Sequence, residues 1–361
     1  MSSDMKLLAV LVHTGRVTAE MARDAMASGD VGAHLIANGA CSAADWQRWQ
    51  RTEGDTRPEL SRYELGELLG EGGVGRVFTA VDKTEDRKVA LKVLRRELAA
   101  DRQQADRFVQ EARLLMALDH PHLVKGYRVA REGETIFFAM EIVPGRCLQD
   151  LLADDGRLDE ESALQIVVEV AAALDALHAR GLVHRDVKPG NILWSEERGA
   201  VLIDLGFAVE RGADSGGETT AGTVHYIAPE QARGKGGLDV RADIYSLGAT
   251  LYHLTTGSLP FEGKTSEEVL AKQVLESLSG ERIRALDLSP QLQYFLEKMM
   301  AKEPEMRFQD PVQLQREIQA FLDQRAHQRE LEERSGRARP RLGDRARGSM
   351  FERRSGRRRR R

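Results

Sequence analysis

The feature that most constrains the fold is a change of hydrophobic pattern at Pro144-Gly145. Before this point, short β-rich runs follow one another, and after it the pattern is helical over long segments. The β-rich runs are Tyr63–Leu69, Arg76–Val81, Lys88–Leu94 and Ile136–Glu141, with one helical stretch at Asp106–Leu118. This order predicts one compact domain with two parts, the first rich in short β-strands and the second mainly helical.

Composition divides the chain into further segments. A polar linker precedes the α+β domain, and the residues beyond the domain are too charged to bury enough surface to fold alone. The predicted segments are a helical N-terminal region (1–57), a linker (58–62), the domain (63–322, divided into 63–143 and 144–322), and a charged helix extension with an arginine-rich tail (323–361).

The N-terminal region contains a faint repeat. Gly15–Glu20 is echoed by Gly39–Asp45, and Thr18 and Ser42 each stand where they would cap the next helix. The pattern predicts paired helix–turn–helix units, although two weak copies also fit a chance match. Trp46 and Trp49, spaced i, i+3, favour a local core, with a protein-interaction face as the alternative.

The net charge of −4 conceals a basic tail on an acidic body. Residues 335–361 hold twelve arginines against two acidic residues, so they carry about +10 and the rest about −14. A solvated charge run is the simpler interpretation of Arg357–Arg361. Contact with nucleic acid or another anionic partner is the alternative, and such binding would be electrostatic and salt-sensitive.

Cysteine usage indicates a reducing compartment, and hydropathy indicates no membrane span. Cys41 and Cys147 are far apart and lack metal-ligand spacing, which argues against a disulfide framework or a zinc site. The longest apolar runs, such as Ile166–Leu177, contain charged residues, and the patch Leu7–Val12 is short for a signal peptide. We expect a cytoplasmic protein with no membrane span.

A glycine-rich run lies between the first two β-rich runs. A G-x-G-x-x-G pattern alone is weak, but its place between strands favours a hairpin turn whose backbone N–H groups approach phosphates. The residues of this run are Leu69, Gly70, Glu71, Gly72, Gly73, Val74 and Gly75. Further on, Lys92 ends an apolar strand, and Glu111 shares the apolar face of the next helix. Their ion pair would aim the lysine at phosphates, whereas surface positions are the alternative for each residue alone.

The most specific segment is His184-Arg185-Asp186-Val187-Lys188-Pro189-Gly190-Asn191, which is followed by Asp204-Leu205-Gly206 and Ala228-Pro229-Glu230. With these motifs, in this order and spacing, the sequence resembles the eukaryotic-like (Hanks-type) protein kinases, most closely the bacterial serine/threonine branch. The resemblance covers about residues 63–322. It implies a bilobal protein kinase fold, with a five-stranded antiparallel sheet in the small N-lobe and a larger helical C-lobe.

The resemblance implies Mg-ATP as cofactor and protein serine or threonine hydroxyls as substrates. Asp186 would accept the proton of the acceptor hydroxyl, Lys188 would contact the γ-phosphate and Lys92 the α- and β-phosphates. Asn191 and Asp204 would supply oxygen ligands to Mg²⁺. A pseudokinase scaffold that binds nucleotide or partner proteins without catalysis is the alternative, although pseudokinases usually lose at least one of these residues.

The resemblance also implies an adenine site near residues 140–143. One residue acts as gatekeeper, two supply backbone groups to the adenine edge, and three sandwich the ring: these are Met140; Glu141 and Val143; and Val77, Ala90 and Leu193.

Supporting and regulatory residues follow from the same resemblance. Asp243 would anchor the catalytic loop, and Glu230 and Arg307 would form a buried ion pair. A phosphate on Thr219 or Thr220 would pair with Arg185 and order the loop that carries them, whereas simple solvation of a flexible loop is the alternative.

Overall fold

The structure is a computed structural model that describes residues 7–8, 11–12, 16–52, 57–204, 209–210, 224–278 and 288–334. The chain forms two compact units. The first comprises Met1–Ala105 and Ala130–Ala139, and the second comprises Asp106–Val129 and Met140–Arg361. The segment boundaries derived from composition stay predictions.

Among the described residues, the N-terminal part of the first unit contains the short helices α1 (Ala19–Ser28), α2 (Val31–Ala37) and α3 (Ala43–Thr52). Thr18 Oγ1 accepts the backbone N–H of Met21 at 3.2 Å, and Ser42 Oγ accepts that of Asp45 at 3.0 Å. Each bond satisfies a donor that the first helical turn leaves without a partner. Both caps predicted from the sequence are therefore present.

The N-terminal helices have a hydrophobic core of their own. Its buried residues are Leu7, Leu8, Leu11, Val17, Ala22, Ala25, Val31, Leu35, Trp46 and Trp49. Gly32 lets α2 and α3 approach closely, because a Cβ atom at this position would lie 2.1 Å from Trp46 Nε1. Both tryptophans are 7% exposed and belong to the local core, as the sequence favoured.

A five-stranded antiparallel sheet forms the rest of the first unit, with the first residues of its edge strand β4 grouped with the second unit. Its strands are β1 (Tyr63–Glu71), β2 (Gly75–Asp82), β3 (Arg87–Leu94), β4 (Gly126–Glu132) and β5 (Thr135–Met140), in the order β1-β2-β3-β5-β4. The predicted five-stranded antiparallel sheet is confirmed. Strand β3 is followed by the short helix α4 (Arg96–Ala100) and by the 15-residue helix α5 (Arg102–Met116), which from Asp106 onward is grouped with the second unit.

The second unit is mainly helical. Its helices are α6 (Leu148–Asp155), α7 (Glu160–His178), α8 (Pro229–Ala232), α9 (Val240–Thr256), α10 (Ser266–Leu275), α11 (Pro290–Met299) and α12 (Pro311–Arg334). Helix α9 is buried over nearly its whole length, as its largely apolar sequence requires. The same unit contains further fully buried side chains, among them Phe261, Phe295 and Phe308.

Short strands position the loops of the second unit. They are β6 (Arg146–Cys147), β7 (Leu182–Val183), β8 (Ile192–Ser195), β9 (Gly199–Leu202) and β10 (Val209–Glu210). Strand β8 pairs with both β6 and β9, and β7 pairs with β10. The loop between β7 and β8 contains the segment 184–191, so its two ends are held by separate small sheets.

Helix α12 continues without interruption to Arg334, past the predicted domain end at 322. Its later turns are tied to α7, since Arg329 pairs with Glu161 at 2.7 Å and Arg325 lies 3.7 Å from Glu160. Within the described residues, we find no helix whose length and hydropathy would let it cross a membrane.

Candidate active site

Asp186 is the centre of a hydrogen-bonded cluster in the second unit. Its carboxylate is buried, at 6% exposure, and Oδ2 accepts a 2.7 Å bond from Lys188 Nζ. Asn191 Nδ2 donates to the same Oδ2 at 2.9 Å and to the Asp186 backbone carbonyl at 2.8 Å. The structure therefore brings together three of the residues that the sequence predicted for catalysis and metal binding.

Helix α9 fixes the backbone of the loop that contains residues 184–191. The carboxylate of Asp243 accepts the N–H groups of His184 and Arg185 at 2.8 and 2.7 Å. Burial raises the pKa of Asp243 to about 7, although these two bonds act in the opposite direction. The contacts match the anchoring role that the resemblance implies for Asp243.

His184 is an internal brace of the same loop. It is fully buried, and its Nδ1 accepts the backbone N–H of Asp186 at 3.1 Å. Desolvation lowers the pKa of His184, so the ring is neutral and retains the lone pair that this bond requires. The first residue of the motif thus orients the third.

A backbone hydrogen bond brings together the two segments that carry the predicted magnesium ligands Asn191 and Asp204. Ile203 donates its N–H to the carbonyl of Asn191 at 3.0 Å, and the half-buried Asp204 is the next residue. Because Asn191 donates through its amide nitrogen, its amide oxygen is the atom left to act as a ligand. One carboxylate and one amide oxygen, completed by phosphates and water, suit Mg²⁺. No cluster of three or more His, Cys, Asp or Glu side chains with metal-binding geometry occurs in the described part of the chain.

In the first unit, the glycine-rich run forms the β1–β2 turn. Gly72 donates its N–H to the carbonyl of Gly75 at 2.9 Å. A Cβ atom at Gly70, Gly72 or Gly73 would meet nothing within 4 Å, whereas at Gly75 it would lie 2.2 Å from the Val93 carbonyl oxygen. Only Gly75 is required by the packing of the protein itself. The open space at the other three is compatible with a ligand close to the backbone.

Arg95 holds this turn in place and was not anticipated from the sequence. It pairs with Glu71 at 2.8 Å and donates to the Gly72 carbonyl at 3.0 and 3.1 Å. Arg95 directly follows the apolar strand β3. An arginine is common at such a position, so nothing in the sequence marked Arg95 as a residue that holds the turn. The side chain of Glu71 is therefore engaged with Arg95, while Leu69 and Val74 are exposed.

Three predicted nucleotide-binding residues lie on one face of the sheet. Val77 on β2 is directly opposite Lys92 on β3, and Ala90 lies two residues before Lys92 on the same strand. Side chains alternate along a strand, so residues two apart or directly opposite share a face. Lys92 is 9% exposed despite its charge.

The remaining predicted adenine contacts lie at and after the end of β5 and on β8. Met140 is buried, and Glu141, Val143 and Leu193 are half-buried. Glu111 belongs to the second unit and Lys92 to the first, so the ion pair predicted between them stays a prediction. Thr219, Thr220, Leu205 and the arginine-rich tail lie outside the described residues.

A second ion pair predicted from the sequence is present in the helical unit. Arg307 donates to the two carboxylate oxygens of Glu230 at 2.7 and 2.8 Å, and its side chain is fully buried. Arg307 also donates to the backbone carbonyls of Ala301, Arg241 and Lys302. Such complete satisfaction of a buried guanidinium indicates a structural role.

The fold and the catalytic cluster together define a protein kinase domain, and comparison with known proteins agrees. The family described as protein kinase domain matches residues 63–318. The chain belongs to this family.

Among curated proteins, the chain is 38% identical over 266 residues to the serine/threonine-protein kinase PknB of Mycolicibacterium smegmatis, covering 71% of this chain and 42% of that protein. It is 37% identical over 270 residues to a probable serine/threonine-protein kinase of Corynebacterium efficiens, covering 72% and 41%. A probable serine/threonine-protein kinase of Streptomyces coelicolor is 34% identical over 271 residues, covering 73% and 40%. The chain thus spans about 42% of the length of the first of these relatives. The predicted resemblance to bacterial serine/threonine kinases is confirmed.

Proposed function

We propose that the chain is an active serine/threonine protein kinase that transfers the γ-phosphate of Mg-ATP to protein hydroxyls. The observation that carries the proposal is the cluster of Asp186, Lys188 and Asn191, joined by bonds of 2.7 and 2.9 Å around one carboxylate oxygen. A pseudokinase scaffold would have no need to keep all three residues in this arrangement.

Each residue of the cluster has a definite task in this proposal. The Asp186 carboxylate, fixed by Lys188 and Asn191, orients the acceptor hydroxyl and takes its proton. Lys188 carries positive charge beside the carboxylate and neutralises charge that develops on the transferred group. Bound Mg-ATP supplies the phosphoryl group and a divalent charge near its oxygens.

Further parts of the proposal concern residues that the family resemblance assigns. Lys92 would bind phosphates, Asn191 and Asp204 would bind Mg²⁺, and a phosphate on Thr219 or Thr220 would pair with Arg185. The same proposal includes autophosphorylation of the loop that carries Thr219 and Thr220. It also includes phosphorylation of other proteins as substrates. The cytoplasm remains the proposed location, supported by the free thiols of Cys41 and Cys147.

The test compares the full chain with Asp186→Asn under labelled Mg-ATP, using a generic protein acceptor. The variant keeps the shape of the side chain but loses the basic carboxylate, so transfer should fall by about 10³-fold. Nucleotide affinity, measured by direct titration, should change little. Asp150→Asn, at an exposed aspartate of α6, is the matched control and should retain full activity.

Two outcomes would contradict the proposal. Wild-type protein that binds ATP but labels neither itself nor the acceptor, with Mg²⁺ or Mn²⁺, would favour the scaffold. Equal labelling by wild type and Asp186→Asn would mean that transfer does not depend on this carboxylate. Identification of the labelled residues as serine or threonine tests the acceptor class.

A further inference from the structure

The carboxylate of Glu141 holds a bidentate ion pair with Arg198. Arg198 donates to Oε2 at 2.7 Å from one guanidinium nitrogen and to Oε1 at 2.9 Å from the other. The side chains of Glu141 and Arg198 are 16% and 26% exposed, so the pair is largely shielded from water. Bidentate arginine–carboxylate pairs combine strength with a fixed geometry.

Three further hydrogen bonds extend this pair. Lys125 donates its backbone N–H to Glu141 Oε1 at 2.7 Å, and the N–H of Glu141 donates to the carbonyl of Lys125 at 2.9 Å. Arg198 also donates to the carbonyl of Pro121 at 3.3 Å. The backbone at Glu141 is therefore fixed both directly and through its own side chain.

Arg198 lies in the hairpin between β8 and β9. This hairpin also holds the other end of residues 141–145, which we call the linking segment. Just after that segment, β6 pairs with β8, with Arg146 opposite Trp194 and Cys147 opposite Leu193. Gly145 packs so tightly that a Cβ atom would lie 2.3 Å from the Trp194 carbonyl oxygen. One hairpin thus anchors the linking segment at both ends.

We propose that Arg198 is a positioning residue for nucleotide binding, acting through the Glu141 carboxylate to hold the linking segment in its binding geometry. The inference rests on the proposed function and on the adenine site that the family resemblance implies, in which the backbone of Glu141 and Val143 meets the adenine edge and Leu193 packs on the ring. Because β8 also carries Leu193, the ion pair between Arg198 and Glu141 keeps these groups in register. Loss of this ion pair weakens ATP binding and leaves the residues that transfer phosphate unchanged.

The test measures steady-state kinetics and direct ATP binding for Arg198→Ala and Arg198→Lys. For Arg198→Ala, the KM and the Kd for ATP should both rise about fivefold to tenfold while kcat changes less than about twofold, the signature of lost ground-state binding. Lysine keeps the charge but not the bidentate geometry, so Arg198→Lys should recover part of the affinity. The KM for the protein acceptor should not change.

Arg180→Ala, at an exposed arginine of the same unit, is the matched control and should behave as wild type. Glu141→Gln completes a double-mutant cycle, in which the double variant should bind ATP no more weakly than Arg198→Ala alone. ATP binding is measured at temperatures well below the thermal unfolding midpoint of each variant. A loss of folded protein is then not mistaken for weaker binding.

The inference is overturned if Arg198→Ala and Arg180→Ala share one ATP affinity, or if Arg198→Ala lowers kcat with KM unchanged. Failure of the proposed function would look different, because wild-type protein would then transfer no phosphate at all. The direct titration reports on Arg198 in either case.

Discussion

The carboxylate of Asp243 accepts the backbone N–H of Arg185 at 2.7 Å, and Arg185 has a φ of +68°. A left-handed backbone is uncommon for a residue with a side chain, and it persists where surrounding bonds determine it. The bond from Asp243 stabilises this strained residue one position before Asp186. A buried residue of helix α9 thereby determines the conformation of the catalytic loop.

Asp243→Asn should disable the loop without altering any group in contact with substrate. The amide offers only one accepting oxygen, and its NH₂ group would face the other backbone N–H. The free energy of unfolding should fall by about 3 kcal/mol, because buried donors lose their partner. Phosphate transfer should fall at least about tenfold, because Asp186 is misplaced.

Urea unfolding and steady-state kinetics measure both effects. Asp155→Asn, at an exposed aspartate of α6, is the control. A variant at position 243 with wild-type stability and activity would show that the loop needs no anchor from α9.

The pair Arg307–Glu230 should contribute far more to stability than a surface ion pair of the same length. Arg307→Met leaves Glu230 buried without its partner and should lower the free energy of unfolding by about 3–5 kcal/mol. Arg329→Ala removes a 2.7 Å pair with Glu161 that is over a third exposed on the arginine side, and should lower it by less than about 1 kcal/mol. Denaturant titration of the two variants is the measurement, and equal losses would contradict the prediction.

Lys302 should make stability depend on pH above neutrality. Its Nζ donates to the Tyr245 hydroxyl at 2.9 Å and to the Gln273 carbonyl at 2.7 Å, and it lies 4.3 Å from the centre of the Phe261 ring. Burial, followed by the charge of Arg307, lowers the pKa of Lys302 to about 7. The unfolded chain then keeps a proton between pH 7 and about 10 that the folded chain has released, so the free energy of unfolding rises with pH in that range.

Lys302→Met removes this titration. The difference in free energy of unfolding, wild type minus variant, should therefore increase from pH 6.5 to pH 9.5. Lys264→Met, at an exposed lysine, should show no such trend. Parallel pH profiles for wild type and Lys302→Met would mean that Lys302 remains charged in the folded protein throughout.

Gly32→Ala should disrupt the N-terminal helices selectively. The added methyl group would lie 2.1 Å from Trp46 Nε1, so α2 and α3 must move apart, at a cost of about 2 kcal/mol. Tryptophan emission should shift to longer wavelength as Trp46 becomes solvated, and phosphate transfer should persist. Ala33→Ser, on the exposed side of the same helix, serves as control. An unchanged emission spectrum would contradict the close packing.

Patterns that depend on neighbours along the chain were predicted well. Four of the five sheet strands follow from the β-rich runs, whereas β4 (Gly126–Glu132) was not among them. The caps by Thr18 and Ser42 involve residues only three positions apart. The residues Asp186, Lys188 and Asn191 lie within one short loop, and the resemblance carried by their motif implied their roles. The buried positions of Trp46 and Trp49 follow equally from local helical periodicity.

Among the contacts between distant segments that the structure shows, only those that the family pattern named were predicted. The resemblance implied Asp243 and the pair Glu230–Arg307, but neither Arg95 on the glycine turn nor Arg198 on Glu141. A single arginine that follows a strand, or that lies in a hairpin, does not indicate which distant carboxylate it will contact. Partners 24 and 57 residues apart are chosen by how the strands and hairpins pack.

By itself, the sequence determined the class of fold, the kinase family and the chemical groups of the catalytic loop, because these are written in residue types at short, fixed spacings. Only the tertiary structure decided that Glu141 is clamped by Arg198 and that Arg95 holds the glycine turn. The physical reason is that a hydrogen bond requires two groups within about 3 Å. Between remote segments, only the packed chain determines that distance.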